Sequence, residues 1–335
     1  MRYSLNAGYG QLLGMQIASA VGPVFGKILV VVPSGDVASI KTMLSEAFIP
    51  DTDGKVRFYA TLEAAYAAAT SNANDVILLA GHSTHAISDG IAWSKNRVHV
   101  IGMDGGDRLI QQGAKIELSG NVATAYVLKV TGTRNSFRNL KVIQSSTNAA
   151  ALNVIQFAGE GNLYKNCSFI FGVVNNLGSV NAAEALLGED AGTFLNCSFG
   201  TDVLLTSAAR NIMAMQVVSG GNADGAKSNR FKDCEFITMS SSASAVLLKI
   251  VATGSAKFLN KFTDCEFVAV KNASNSAIVI TNAIQSVASF VEGSVAFTRP
   301  ATHNCTNGAD TLTANLTIAG APVFSSNAWE GTTPA

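Results

Sequence analysis

The sequence is short of charge. Asp, Glu, Lys and Arg make up 14% of its 335 residues, and 23 basic residues cancel 23 acidic ones. Zero net charge supplies no field to draw in nucleic acid or anionic lipid, so neither is an expected partner. Aromatic residues are few, at 7%, and Phe dominates them, which leaves a sugar-binding groove thinly supplied with stacking rings. No apolar run is long and clean enough to cross a membrane. The best candidate, "QLLGMQIASAVGPVFG" after Arg2, is interrupted by Gln11, Gln16 and Pro23 and followed by Lys27. Its small residues Ala18, Ser19 and Ala20 imitate a leader cleavage site, but the expectation is that it is not a secretion signal. The cysteines, Cys167, Cys197, Cys234, Cys265 and Cys305, are odd in number, which argues for reduced thiols over a disulfide framework. No GxSxG, P-loop or dinucleotide fingerprint occurs.

What is present is 48% hydrophobic, enough to bury a large core in one or two domains. Runs of Ala, Ser, Thr, Asn and Gly are split by Val, Ile, Leu and Phe at strand spacing, the texture of an all-β chain with many turns. Residues 1–34 read as an arm ending in the strand-like "KILVVVP". Residues 35–73 read as a helical cap segment. In "SGDVASIKTMLSEAF", Val37, Ile40, Leu44 and Phe48 share one helical face behind an N-cap at Ser34 or Asp36, and Pro50, Asp53 and Gly54 close it. A short strand "KVRFYA" leads to a second helix, "TLEAAYAAATSNA", capped by Thr61, with Leu62, Ala65, Tyr66 and Ala69 as its buried stripe.

From residue 74 to 298 every apolar run is of strand length, and one eight-residue motif recurs. It reads "NSFRNLKV" at 135–142, "NLYKNCSF" at 162–169, "GTFLNCSF" at 192–199, "NRFKDCEF" at 229–236 and "NKFTDCEF" at 260–267. The sixth positions are 27, 30, 37 and 31 residues apart, and "SFVEGSVAF" reads as a degenerate further copy. A second apolar strand sits between copies, as "AYVLKVTG", "LNVIQFAGEG", "MAMQVVSGG", "AVLLKIVATG" and "SAIVITN". Such a period marks a stacked solenoid, in which no repeat buries its own apolar face alone. Within "NRFKDCEF", Phe231, Cys234 and Phe236 all point inward only if the chain bends between them. The residue at the bend is Asn139, Asn166, Asn196, Asp233 and Asp264 in successive copies. Asn and Asp tolerate left-handed backbone and hydrogen-bond to stacked neighbours, so these five are expected to form a corner ladder. Cys167, Cys197, Cys234 and Cys265 then form a buried column in which each thiol acts as a small hydrophobe.

The pattern N-x-F-x-[ND]-C-x-F at this period resembles the rungs of right-handed parallel β-helices of the pectin lyase-like group. "FYATLEAAYAAATSNANDVILLAGHSTHAIS" with "NRVHVIGM" resembles their start, where a helix caps the open end. The resemblance spans 56–297. It implies an all-β, right-handed parallel β-helix solenoid over 74–298 with a small N-terminal α/β cap, roughly seven or eight rungs at about 4.8 Å. It leaves activity open, because one fold hosts many functions.

The residues that bear chemistry are weighed against that frame. Glu235 and Glu266 fall on one outward position of successive rungs, about 5 Å apart, near the spacing of retaining glycosidases. Ser168 and Ser198 hold the same position elsewhere, which favours solvated surface residues. Lys and Arg are scattered singly along the sequence, and no acidic cluster suits a lyase. His82 and His85 have an HxxH spacing, but in a loop without the intervening Glu of a zinc hydrolase; His99 and His303 read as ordinary. No catalytic residue, metal ligand or cofactor is assigned.

The ends read differently. The apolar arm contains Leu12, Leu13 and Phe25. The 299–335 strand and tail contains Leu316, Ile318, Phe324 and Trp329. These seven are candidate assembly contacts, by strand addition to neighbouring subunits. The opening "VGPVFGKILVVVPSGD…FYATLEAAYAAA" resembles bacteriophage virion proteins. That resemblance implies a non-enzymatic capsid decoration or cement protein, located in the virion after assembly in the host cytoplasm, with capsid protein and copies of itself as partners, as a trimer. The alternative is a tailspike that binds or cleaves host surface polysaccharide.

Overall fold

The structure, a computed structural model, describes residues 26–34, 57–103, 113–172, 182–206, 209–219, 225–251, 256–270, 280–286, 295–309, 317–319 and 323–324. The helix expected within 35–48 and its closing turn lie outside them.

One coil shows how the chain is built. Asn153–Phe157 forms a strand, the chain bends at Gly161 (φ +63°), and Leu163–Phe171 runs through a second bend at Asn166 (φ +52°) before Ala183–Leu187 returns beside the starting strand. Each later coil repeats this path. Leu163–Phe171 pairs in parallel with Ser136–Ser146 below and with Thr193–Leu195 and Ser198–Thr206 above. The result is a right-handed parallel β-helix. An 18-stranded sheet is folded at the Asn/Asp corner into two legs, and an 8-stranded sheet closes the third side. Among the described residues no helix is long and apolar enough to cross a membrane.

The interior explains the repeat. Phe137, Tyr164, Phe194, Phe231, Phe262 and Phe297 stand in register on the first leg, with neighbouring ring centroids 4.2–5.3 Å apart and rings nearly parallel. Phe169, Phe199, Phe236 and Phe267 stack likewise on the second leg. Across the cavity stand Ile155, Ala185, Met213, Leu248 and Ile284 of the 8-stranded sheet. An aromatic pair adds about 0.5–1.5 kcal/mol beyond its area burial. Register is therefore strongly specified, since a one-residue slip would turn every ring to solvent.

At the N-terminal end the helix Leu62–Ala68 covers the open coil. Thr61 caps it by accepting from the Ala64 N–H, and Leu62 and Ala65 are buried. Lys95 Nζ donates to the carbonyls of Tyr66, Ala67 and Ala69, which satisfies the helix C-terminus. Tyr66 stacks on Trp93 at 4.1 Å.

The column is longer than the 74–298 span. Ile28–Val31, read as the end of an arm, pairs with Val76–Leu79 and with Arg57–Tyr59, because an apolar β-branched run beside an open sheet edge satisfies its backbone there. It also bears a second apolar cluster, Val30, Val32, Val76, Leu78, Ala80 and Ile101, away from the main core. At the other end Ala301–His303, Cys305–Ala309, Thr317–Ala319 and Val323–Phe324 continue the stacking. One more strand, Ala183–Leu187, belongs to the series of apolar strands that recurs between the motif copies. Two Glu residues, at 184 and 189, hide it from a purely apolar pattern.

Candidate functional site

The corner positions are all left-handed: φ is +55° at Asn139, +52° at Asn166, +52° at Asn196, +53° at Asp233 and +52° at Asp264. Asn166 Nδ2 donates to Asn139 Oδ1 (3.1 Å), and Asn196 Nδ2 donates to Asn166 Oδ1 (3.0 Å). An aspartate has no side-chain proton to pass on. The ladder accordingly ends with Arg299 (φ +49°), whose Nε and Nη2 grip Asp264 at 2.6 Å each and hold its carboxyl below the usual range. Arg299 is thus the sixth corner. In the degenerate copy, register aligns Phe297 with Phe262, so the copy runs on past "SVAF" into "TRPAT".

Cys167, Cys197, Cys234 and Cys265 are free, buried and directly after the corner. The thiols of Cys167, Cys197 and Cys234 donate to the carbonyls of Phe137, Tyr164 and Phe194, one coil below each. Burial pushes the Cys197 and Cys265 thiols up, and Cys305 up to about 12, which keeps them protonated.

Glu235 and Glu266 are in direct parallel register. Glu235, however, is buried, and so are Ser168 and Ser198 beneath it, where Ser198 Oγ donates to Ser168 Oγ at 2.9 Å. The expectation of solvated positions therefore fails for these three, and Glu266 alone of the pair is half-buried. His85 is buried against the Ala80 carbonyl (Nε2 to O, 3.0 Å), and His82 sits in a left-handed turn. His99 is buried 3.2 Å from Ser136 Oγ; burial and then Arg138 lower it to about 4. His303 pairs across from Val268. Among the described residues no three His, Cys, Asp or Glu side chains converge as a metal ion would need.

Of the seven candidate assembly contacts, Leu12, Leu13, Phe25, Leu316 and Trp329 lie outside the described residues. Ile318 pairs with Phe297 and Phe324 with Thr302, so both backbones belong to strands stacked on this chain's own column.

The motif's first letter, left without a role by sequence reasoning, forms a second and deeper ladder. Asn135 Oδ1 accepts from the Val98 N–H, Asn162 Oδ1 from Asn135 N–H, Asn229 Oδ1 from Gly192 N–H, and Asn260 Oδ1 from Asn229 N–H. One coil lacks its Asn because Gly192 stands there. Glu189 supplies the missing acceptor: its Oε1 takes the Asn162 N–H (3.2 Å) and Nδ2 (2.6 Å). A Cβ at Gly192 would lie 2.9 Å from the Glu189 carboxyl carbon, so the glycine is what admits the carboxylate. The stacked Phe column becomes Tyr at position 164, and that hydroxyl lies against the same carboxyl. Burial pushes Glu189 up to about 7. A lone departure from each of two columns, Gly for Asn and Tyr for Phe, was the available signal.

A second interior charge, Arg210, pairs with Glu184, and its guanidinium lies 5.4 Å from the centroid of the Phe171 ring. Register sets Arg210 between Ala182 and Ala245, whose small side chains leave it room. Burial lowers Arg210 to about 9.

No family model and no curated protein sequence matches the chain. Solved structures do. A pectate lyase, Pel9A, superposes with a TM-score of 0.52 at 14% identity over 94% of this chain and 76% of its own. A pectin methylesterase, PemA from Erwinia chrysanthemi, gives 0.45 at 12% identity over 88% and 81%. ORF18 of Geobacillus virus E2 gives 0.42 at 12% identity over 74% and 50%. The likeness to the pectate lyase, at 14% identity, is one of fold, the right-handed parallel β-helix.

Proposed function

We propose that the protein is a non-enzymatic structural component of a phage particle, decorating or cementing the capsid, with capsid protein and copies of itself as its partners. The observation that carries this reading is the use made of acidic side chains. Asp75 accepts from the Lys27 and Thr70 N–H groups, Glu63 from Ser88, Glu184 pairs with Arg210, Glu189 completes the Asn ladder, Asp190 binds Lys227 and Asp264 binds Arg299. Each fastens one segment or coil to another, which is work for a scaffold. The outward column of the 8-stranded sheet runs Ala92, Lys129, Gln156, Leu186, Ala214, Lys249 and Gln285, without a carboxylate. A general acid and base set across a groove need two. The N-terminal stretch with Leu12, Leu13 and Phe25 and the tail around Trp329 are the segments assigned to the capsid.

Electron cryomicroscopy of intact particles tests this directly. β-helix density repeated over the shell is the expected result, and density confined to the tail tip would replace it with the tailspike reading. Incubating the protein with host surface polysaccharide should release no oligosaccharide; release that disappears in Glu235→Ala or Glu266→Ala would make it an enzyme.

A further inference from the structure

The cations that are scattered in sequence are gathered in space. On the first leg, side chains one and three residues after the buried Asn point outward, as Ser136 and Arg138, Leu163 and Lys165, Thr193 and Leu195, Arg230 and Lys232, and Lys261 and Thr263 on successive strands. Five of these ten are basic and none is acidic. Lys165, Arg230, Lys232 and Lys261 are exposed; Arg230 and Lys261 are neighbours in register, about 4.8 Å apart, and Lys165 and Lys232 flank Leu195 in the adjacent column. Lys232 has Asp233 at 3.9 Å with both side chains more than half exposed, a pair worth little. Lys165, Arg230 and Lys261 have no acidic partner among the described residues. Among the described residues these ten positions thus carry base without acid, with Asp233 and Asp264 at the corner that bounds them.

An independent feature borders this face. Register pairs Lys227 with Lys257 and Arg230 with Lys261, so the later coil has one residue more between them. The extra length pushes out Phe258 and Leu259, which are 66% and 39% exposed. Phe258 stands at φ +51° in the left-handed bend that Gly161, Ala191 and Ser228 form in earlier coils, and Lys227 Nζ lies 5.5 Å from its ring centroid. Where earlier coils place Gly, Ala or Ser at this bend, a bare aromatic ring leaves apolar surface for a partner to cover.

We propose that this face is a docking surface for a protein partner that presents carboxylates around an apolar or aromatic centre, with Arg230, Lys232 and Lys261 as its charged contacts and Phe258 as its anchor. Arginine with an exposed aromatic is the composition of protein–protein hot spots. Nucleic acid or polysaccharide would find charge here but a single edge ring to stack upon. The inference concerns the column's side, not its ends, and stands whether or not the particle reading holds.

The test uses the full chain and four probes: poly-L-glutamate, a random Glu/Tyr copolymer, dextran sulfate and duplex DNA, measured by fluorescence anisotropy at 50 and 300 mM salt. The copolymer should bind at least tenfold tighter than poly-L-glutamate and weaken with salt. Arg230→Ser with Lys232→Ser and Lys261→Ser should lose at least tenfold, whereas the same charge removed elsewhere, by Lys115→Ser with Lys129→Ser and Lys249→Ser, should lose less than twofold. Phe258→Ser should abolish the preference for the copolymer. Equal losses in the two triple variants, no copolymer binding, or tighter binding of dextran sulfate or DNA would each overturn the proposal. All substitutions are on exposed or half-buried side chains, and an unchanged thermal melt confirms the fold.

Discussion

Glu189 makes a quantitative prediction about pH. Its carboxyl is fully buried and titrates at about 7, against an ordinary value of 4.5. Between those two pH values the folded chain holds a proton that the unfolded chain has released, so stability falls as pH rises through the window. Two and a half pH units at about 1.4 kcal/mol each give roughly 3.5 kcal/mol, fully present below pH 4.5 and fully lost above pH 7. The groups that face the carboxyl are Asn162, Tyr164 and Asp190, and Asp190 is itself bound to Lys227. Glu189→Gln keeps an acceptor for Asn162 and removes the titration. Urea unfolding of both proteins at pH 5 and pH 8, followed by circular dichroism, isolates the term as the difference between the two pH responses. The variant should gain roughly 3 kcal/mol on the parent between pH 5 and pH 8. A difference within about 0.5 kcal/mol of zero, or of opposite sign, would refute the picture of a proton-holding carboxyl in the Asn ladder.

The same coil should behave as a matched set: Gly192→Asn alone meets the Glu189 carboxyl carbon at 2.9 Å and should cost about 1–3 kcal/mol. Adding Glu189→Gly rebuilds the ladder found at Asn162 and Asn229 and should return most of that loss, as a double-mutant cycle on urea midpoints will read. At the corner, Asn166→Val forces a β-branched residue to φ +52° and should destabilise by about 1–3 kcal/mol, while Asn166→Gly should cost under about 1 kcal/mol. Truncating the aromatic stack with Phe231→Ala should cost about 3–5 kcal/mol in the same measurement. The buried thiols should ignore Ellman's reagent in the native protein and all react in denaturant; rapid native labelling of Cys197 or Cys234 would contradict the packed column.

The corner was legible because it is written in backbone chemistry. Only a few residue types sit comfortably at positive φ, so Asn and Asp recur where the chain must bend, and the inward Phe and Cys follow from strand alternation. The coil carrying Ala183–Leu187 was not legible for the opposite reason. Its two glutamates look like surface residues until Gly192, Tyr164 and Arg210 are seen to receive them, and of these Tyr164 and Arg210 lie on other coils. Burial at Glu235 was missed for a related reason, since an outward position on a strand is exposed only if nothing else packs over it. The place of Ile28–Val31 was not legible from composition: an apolar strand such as "KILVVVP" suits an outside partner as well as an open edge of its own sheet, and here it pairs with Val76–Leu79.

The two kinds of ladder also explain why a chain with so little charge can still sort it. In a solenoid the side chains nearest in space come from successive coils, so a substitution is judged by residues about thirty positions away. An interior Asn hands its N–H partner upward, an interior Glu is tolerated only where glycine and tyrosine make a place for it, and polar variation is driven to the outward columns. There each coil is free to vary on its own. Five cations without an acid among ten outward positions of the first leg are therefore not dictated by the fold, whereas the Phe, Cys and Asn columns beneath them are. That difference is why selection for a partner, if it has acted on this molecule, is to be sought on that face and not in the motif that first draws the eye.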